Sequence, residues 1–211
     1  MKSLVDLKDL REKNSSIKAL SYQLYENNGV LKRDQVSEYL KKLGQSERKV
    51  LRDLGVKFGR YHVFLHRLIK PEAVSLRTLL WKNFHQKYFN LKPPTFGLNF
   101  LNNKDVSNKN FMLLCGFEKF DSFFVRIDIL ERLFMQIINS EKEVKIIPEM
   151  LNLLGCNKED FKKLLKNMGY KIIEKENDTL FKYQPKKEKK TFSKKTQKES
   201  PFGVLKKLSF N

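Results

Sequence analysis

The stretch "YLKKLGQSERKVLRDLGVKFGRYHVFL", residues 39–65, carries the order of elements that decides the fold. Apolar residues recur at helical spacing before Gly44, and glycine commonly follows the end of a helix. Ser46 suits the cap of a second helix, which ends at Gly55. Residues 56–65 are β-branched and aromatic, which predicts extended chain. This order predicts a helix-turn-helix followed by a β wing.

The second half of the chain repeats this plan. Pro148 suits the first turn of a helix that Gly155 ends, and Asn157 suits the cap of the next helix. In order, the predicted elements are an amphipathic helix over 128–139, a strand at 143–146, helices over 148–154 and 158–168, and two strands within 170–183 that meet at Asn177–Asp178.

The segment between the halves predicts a helical connector. A helix over 72–87 follows Pro71, then a proline-rich loop, a short helix from Ser107 and a hairpin over 116–127. The fold class is therefore mainly α with small β (α+β), with two winged-helix-like units joined by this connector. The predicted boundaries are 1–66 for the N-terminal unit, 67–127 for the connector, 128–184 for the C-terminal unit and 185–211 for a basic tail.

The tail has a different composition from the rest of the chain. Residues 185–200 contain seven lysines against two glutamates and almost no apolar side chains, which predicts disorder. Hydrophobic residues return in "SPFGVLKKLSF", residues 200–210. An amphipathic stretch after such a linker predicts docking, either on this chain or on a partner.

Charge points to a polyanionic partner. The 211 residues include 43 Lys+Arg and 24 Asp+Glu, a formal net charge of +19. Nucleic acid is the leading partner class for such a surface, although an AT-rich genome would also enrich lysine. Cys115 and Cys156 are the only cysteines and stand in apolar contexts, so no disulfide framework is predicted. No secretory leader or apolar run of membrane-spanning length stands out, which predicts a cytoplasmic location without a membrane partner.

No catalytic or metal constellation emerges from the motifs. The chain lacks G-x-x-x-x-G-K-[ST], the phosphate loop of ATP hydrolysis, so it is not expected to be an enzyme on its own. His62 and His66 are four residues apart but lack the glutamate of H-E-x-x-H. We therefore predict neither a metal site nor a cofactor, and we interpret the histidines as incidental.

Two carboxylates one helical turn apart, Asp128 and Glu131, offer a formal acid–base pair. Arg126 and Arg132 stand beside them. A structural ion-pair cluster is the better interpretation of this pattern.

Cations on the second helix and wing of each predicted unit are candidates for nucleic-acid binding. Lysine offers a point charge to phosphate, so we expect backbone contacts with little sequence preference. The alternative is that these cations form the solvated faces of protein-interaction domains. The candidates are Arg48, Lys49, Arg52, Lys57, Arg60, Arg67, Lys162, Lys163, Lys166, Lys171, Lys175 and Lys182.

Three segments resemble a known protein family. These are "NNGVLKRDQVSEYLKKLGQSERKVLRDLGVKFGRYHVFLHRLIKPEAVSLRTLLW" (27–81), "CGFEKFDSFFVRIDILERL" (115–133) and "LLGCNKEDFKKLLKNMGYK" (153–171). In this order they are similar to the C-terminal accessory region of alphaproteobacterial superfamily 2 helicases, which are related to the RNA helicase of the mitochondrial degradosome. "SPFGVLKKL" is similar to a motif that ends many of these proteins, whereas His66 stands where the family usually has proline.

The resemblance implies an accessory function. The ATP-hydrolysing motor domains of the family have no counterpart here, so no motor residue is carried over. The expected function is a non-catalytic module of, or partner to, an ATP-dependent helicase that holds RNA or DNA by phosphate contacts. The alternative is an adaptor that docks onto a helicase or nuclease without binding nucleic acid. A free-standing protein, a split gene and a truncated sequence all fit this pattern.

Overall fold

Three small antiparallel sheets, joined by helices, organise the chain. A computed structural model describes residues 5–7, 10, 15–86, 90–102, 108–138, 143–175 and 178–183. Within these residues the fold is α+β, and each sheet has three strands of which the last in sequence lies in the middle. The predicted basic tail, 185–211, lies outside the described residues. In the part of the chain described, no helix combines the length and apolarity that crossing a membrane requires.

The first sheet lies within residues 30–65. Residues 56–65, predicted as one extended segment, form two strands that pair as a hairpin, because the chain turns between Phe58 and His62. A short strand between the first and second helices completes the sheet by pairing with the second hairpin strand. The sequence pattern did not predict this strand. The elements are α1 (Ser15–Glu26), β1 (Val30–Lys32), α2 (Ser37–Lys42), α3 (Gln45–Asp53), β2 (Val56–Phe58) and β3 (His62–Leu65), with 3-10 turns at Arg33–Val36 and His66–Ile69.

The middle segment contains a sheet of the same order. The helix after Pro71 and the hairpin are present as predicted, and a two-residue strand adds a third strand to that hairpin. The elements are α4 (Pro71–Phe84), β4 (Phe100–Leu101), α5 (Lys109–Leu114), β5 (Phe117–Phe120) and β6 (Phe123–Arg126).

The third segment follows its predicted order of elements closely. Its first helix begins directly after β6, and its last two strands pair over six residues each. The elements are α6 (Ile127–Ile138), β7 (Val144–Lys145), α7 (Pro148–Leu154), α8 (Lys158–Asn167), β8 (Tyr170–Lys175) and β9 (Asp178–Tyr183).

One glycine turn leads into all three hairpins. Gly55, Gly116 and Gly169 have φ of 91°, 85° and 86°, a left-handed conformation that residues with a Cβ rarely adopt. The amide of each glycine donates to the carbonyl three residues earlier, at 2.8 to 3.1 Å. Glycine at these positions lets the chain leave the helix and enter the hairpin within one residue.

The predicted ends of α7 and the predicted cap of α8 are confirmed, whereas the predicted cap of α3 is wrong. Pro148 starts α7, Gly155 ends it with φ of 70°, and the Asn157 side chain accepts the amide hydrogen of Asp160. Ser46 does not cap α3. Instead Gly44 is the cap residue, and the carboxylate of Glu47 accepts its amide hydrogen at 2.8 Å. This bond satisfies the amide of the cap residue and places an acidic group at the helix N-terminus.

The first sheet packs on an apolar cluster of its own, the second and third sheets share another, and a smaller cluster joins the first and third segments. Val30, Phe64, Ile69 and Ile127 form that smaller cluster, in which residues of the first hairpin meet the start of α6. The segments therefore share buried surface, and the first hairpin is held against the helix that opens the third segment.

Candidate nucleic-acid interface

Three of the cations singled out from the sequence line one cavity on the first segment. Arg48 and Arg52 lie one turn apart on α3, and Lys57 lies on β2. Val56 and Phe58 complete the lining of this cavity, whose volume is about 390 Å³. Because every lining residue is cationic or apolar, the cavity presents positive charge that no carboxylate in its wall offsets. We call it the cationic cavity.

Hydrogen bonds to main-chain carbonyls position both arginines. Arg48 donates from Nη2 to the carbonyl of Leu40 at 2.7 Å and from Nε to that of Leu43 at 3.2 Å, and so satisfies carbonyls at the end of α2. Arg52 donates from Nε to the carbonyl of Arg48 at 3.1 Å. A guanidinium has five N–H donors, so these bonds leave donors on each arginine for an anion.

The other candidates of the first segment lie on two sides of its hairpin. Arg67 is exposed, and its Cδ and Nε are about 4.0 Å from the point where a Gly55 side chain would begin, so it lies beside the turn that enters β2. Arg60 lies at the other end of the hairpin, with its Cζ 5.5 Å from the ring centroid of Tyr183. Lys49 is exposed on α3. Arg67 is therefore near the side of the cationic cavity, whereas Arg60 faces the third segment.

The lysines of α8 differ from the arginines of α3 because carboxylates neutralise two of them. The Nζ of Lys162 lies 3.2 Å from Glu159 and 2.8 Å from Glu174. The Nζ of Lys163 lies 3.2 Å from Asp160. These lysines were predicted as phosphate-binding residues on the same grounds as the arginines of α3, yet the structure gives them acidic neighbours. They present less net charge to a polyanion.

The last hairpin brings two further candidates together. Lys171 and Lys182 are directly opposite on β8 and β9, and both are exposed. Like charges directly opposite on a sheet are destabilising, so an anion bound between them would relieve this repulsion. Lys166 is exposed near the end of α8, and Lys175 lies in β8, although its side chain lies outside the described residues.

A carboxylate from α6 holds the turn of the first hairpin. Glu131 accepts the amide hydrogens of Arg60, Tyr61 and His62 at 2.5, 2.9 and 2.7 Å. Gly59 precedes these amides, and a Cβ there would overlap the Glu131 carboxylate. The glycine is therefore required for close approach of the backbone to the carboxylate.

His62 connects this carboxylate with a second one, and the interpretation of it as incidental is wrong. Its side chain is 3% exposed and lies between Glu131, 3.1 Å from Nδ1, and Glu118, 3.5 Å from Nε2. Lys32 lies 2.6 Å from the other oxygen of Glu118. With His62 protonated, the four side chains carry two positive and two negative charges. We call this group, which joins β1, β3, β5 and α6, the junction cluster.

The surroundings of His62 favour its protonated form. Burial by itself lowers the pKa of an imidazole, but the hydrogen bonds and charges of Glu118 and Glu131 outweigh it, so the pKa of His62 is raised above 6.5. Burial likewise acts to raise the pKa of Glu118, but His62 and Lys32 outweigh it and the pKa is lowered. Both shifts stabilise the ionised cluster.

The expected carboxylate–arginine cluster is present in part. Arg126 and Asp128 form an ion pair at 2.9 Å. Glu131 does not join it, because its carboxylate is directed into the first hairpin. Arg126 and Arg132 are close to Glu131 in sequence, but the amides that its carboxylate binds lie about 70 positions away.

The junction cluster predicts a decrease in stability as the pH rises above 6.5. A histidine whose pKa is higher in the folded chain contributes its full stability below the unfolded pKa and loses it as the pH rises through the folded pKa. Urea denaturation from about pH 5.5 to about pH 9 is expected to show this loss in the native sequence and not in His62→Gln. His66→Gln, four residues away, is the matched control and should keep the native profile. A stability difference between the native sequence and His62→Gln that stays constant with pH would contradict the prediction.

A larger groove lies over the junction cluster but has mixed charge. Its volume is about 850 Å³, and it is open between the first hairpin, the second hairpin and the end of α8. Acidic side chains contribute to its wall beside the cations, so it is less suited to phosphate than the cationic cavity. Its charged and aromatic lining residues are Lys32, Arg33, Asp34, Arg60, Tyr61, His62, Glu118, Lys119, Phe120, Asp121 and Tyr183.

Cysteine chemistry and metal binding receive no support from the side chains. Burial raises the pKa of Cys115 and of Cys156 to about 12, so both thiols stay protonated near neutral pH. Among the described residues, no group of three or more His, Cys, Asp and Glu side chains is arranged to hold a metal ion.

Comparison of the chain with family models, curated proteins and solved structures gives no match. The cationic cavity and the junction cluster are therefore interpreted from their own geometry.

Proposed function

We propose that this chain is a non-catalytic module that binds nucleic acid through the phosphate backbone. The observation that carries the proposal is the cationic cavity, where Arg48, Arg52 and Lys57 converge without an acidic neighbour in the wall. Guanidinium groups suit phosphate because they offer paired N–H donors in one plane. The net charge of +19 would also draw a polyanion from a distance.

The order of elements supports a specific manner of binding. A helix, a strand, two further helices and a hairpin whose last strand lies in the centre of the sheet are the parts of a winged-helix-like unit, and we propose that the first and third segments are two such units. In a helix-turn-helix the second helix meets nucleic acid. In the first unit that helix is α3, which carries both arginines of the cavity, and the wing begins with Lys57.

Phosphate contacts of this kind position a chain on nucleic acid without reading its sequence. RNA and DNA are both candidate ligands. By its resemblance to helicase accessory regions, the chain would serve as part of, or partner to, an ATP-dependent helicase in the cytoplasm. The motor would unwind the duplex, and this chain would prolong the contact with the strand.

Salt dependence tests the proposal. If three cations each neutralise one phosphate, a plot of log K against log salt should have a slope of about −2.7 on duplex DNA and about −2.1 on a single strand. Fluorescence anisotropy with labelled RNA and DNA, from about 50 to about 200 mM salt, measures this slope. Undetectable binding at the lowest salt, or affinity that does not change with salt, would contradict the proposal and favour the protein-interaction adaptor.

A further inference from the structure

Helix α4 has its polar and apolar faces reversed. A helix on the surface of a domain usually buries its leucines and exposes its charged residues. Here Arg77 and Thr78 are buried together with Val74. The outward positions carry four large apolar side chains at i, i+3, i+4 and i+8: Leu76, Leu79, Leu80 and Phe84, exposed by 46%, 55%, 45% and 83%.

Hydrogen bonds of Arg77 explain why the polar side of α4 is buried. Its Nη1 donates to the carbonyl of Leu68 at 2.9 Å, and its Nη2 donates to the carbonyl of Asn28 at 2.5 Å. Asn28 is in the left-handed region with φ of 55°, next to Gly29 where α1 leads into β1. Arg77 therefore fixes the rotation of α4, and this rotation directs the leucines outward.

The exposed stripe is a continuous surface. Residues four apart on a helix lie side by side, so Leu76, Leu80 and Phe84 form one row and Leu79 lies beside it. A contiguous apolar surface of this kind marks a site of contact with another chain or segment. We call these four side chains the leucine face.

We propose that residues 201–211 of this chain cover the leucine face. This segment, "PFGVLKKLSFN", carries Phe202, Val204, Leu205, Leu208 and Phe210. Its five apolar side chains match the apolar character of the leucine face.

The linker between β9 and residues 201–211 is long enough for this segment to reach the leucine face. Seventeen residues separate Tyr183, the last residue of β9, from Pro201. Fully extended, such a linker spans about 60 Å. A folded body of this size has a radius of gyration of about 16 Å, so the segment reaches any part of its surface. Tethering also gives an effective concentration in the millimolar range. A small apolar contact is therefore sufficient to hold the segment on the leucine face.

A photo-cross-link tests the proposal in the full chain. With p-benzoylphenylalanine in place of Phe210, irradiation of a dilute sample followed by proteolysis and mass spectrometry should give a cross-link to the peptide that contains residues 76–84. The product should have the mass of one chain. Leu80→Asp should lower the cross-link yield about tenfold, because it places a charge in the apolar contact. Asn152→Asp, which adds the same charge at an exposed position of α7, should leave the yield unchanged.

Three results would overturn the proposal. A cross-link to another surface, or none, would show that the segment does not lie on the leucine face. A product with the mass of two chains would show that a second copy supplies the segment. A yield that Leu80→Asp does not lower would show that the contact is non-specific. None of these results depends on nucleic-acid binding, so they leave the function proposed above untouched.

Discussion

Replacing Glu131 with alanine is expected to lower the free energy of unfolding by about 3–5 kcal/mol, because the change removes one partner of a buried charged group. The Glu131 carboxylate accepts three main-chain amide hydrogens of the first hairpin and contacts Nδ1 of His62. Each buried donor left without an acceptor costs about 1–3 kcal/mol. The deletion also leaves the junction cluster with one uncompensated positive charge.

Urea denaturation measures this loss of stability. Two further variants show whether it comes from the Glu131 carboxylate. Glu131→Gln keeps an oxygen acceptor but loses the charge, so its loss of stability should be intermediate. Arg132→Ala changes the next residue of α6, which is exposed, and should stay within about 0.5 kcal/mol of the native value. If Glu131→Ala is no less stable than Arg132→Ala, the carboxylate does not hold the hairpin and the junction cluster has no structural importance.

Reversing two charges of the cationic cavity is expected to weaken nucleic-acid binding about 100-fold at low salt. The variant is Arg52→Glu with Lys57→Glu in the full chain. Both side chains are exposed, so the fold should tolerate the change. Each substitution removes one phosphate contact and adds repulsion, and the loss of two contacts should also reduce the salt slope by about 2. Arg48 is left in place because it closes the end of α2.

The longer helices and the hairpin entries could be predicted because their signals are local. Helical periodicity, Pro148, Gly155 and Asn157 act within one or two turns of the chain, and the structure confirms the elements that they predicted. The strands β1 and β4 were missed for a physical reason. A strand of two or three residues has no periodicity of its own, and it forms only because β3 or β6 offers unpaired main-chain groups.

The candidate site was likewise predictable only in part. Exposure of Lys57, Arg60 and Arg67 follows from their charge, and all three are exposed in the structure. The junction cluster was not predicted, because Glu131 lies about 70 positions from the amides that it binds. Gly59 was the one local sign, since a glycine inside a strand pattern indicates close approach of another group.

Ion pairing on α8 could be predicted from the sequence only in part, because Glu159 and Asp160 stand three positions before Lys162 and Lys163. Lys162 and Glu159 are close in sequence, but Glu174 reaches the same lysine only because β8 packs beside the helix. The sequence treats the lysines of α8 and the arginines of α3 as equivalent. The structure distinguishes them, because carboxylates of α8 and β8 pair with Lys162 and Lys163, whereas no carboxylate lines the cationic cavity.

The most direct test of the central claim is the affinity of the full chain and the Arg52→Glu, Lys57→Glu variant for one labelled single-stranded RNA and one duplex DNA at about 50 mM salt. Lys18→Glu with Lys109→Glu, two exposed lysines on α1 and α5, supplies a control with the same change in net charge. We predict a loss of about 100-fold for the cavity variant and less than about fivefold for the control. Equal affinities of the cavity variant and the control would contradict the claim that nucleic acid lies on the cationic cavity.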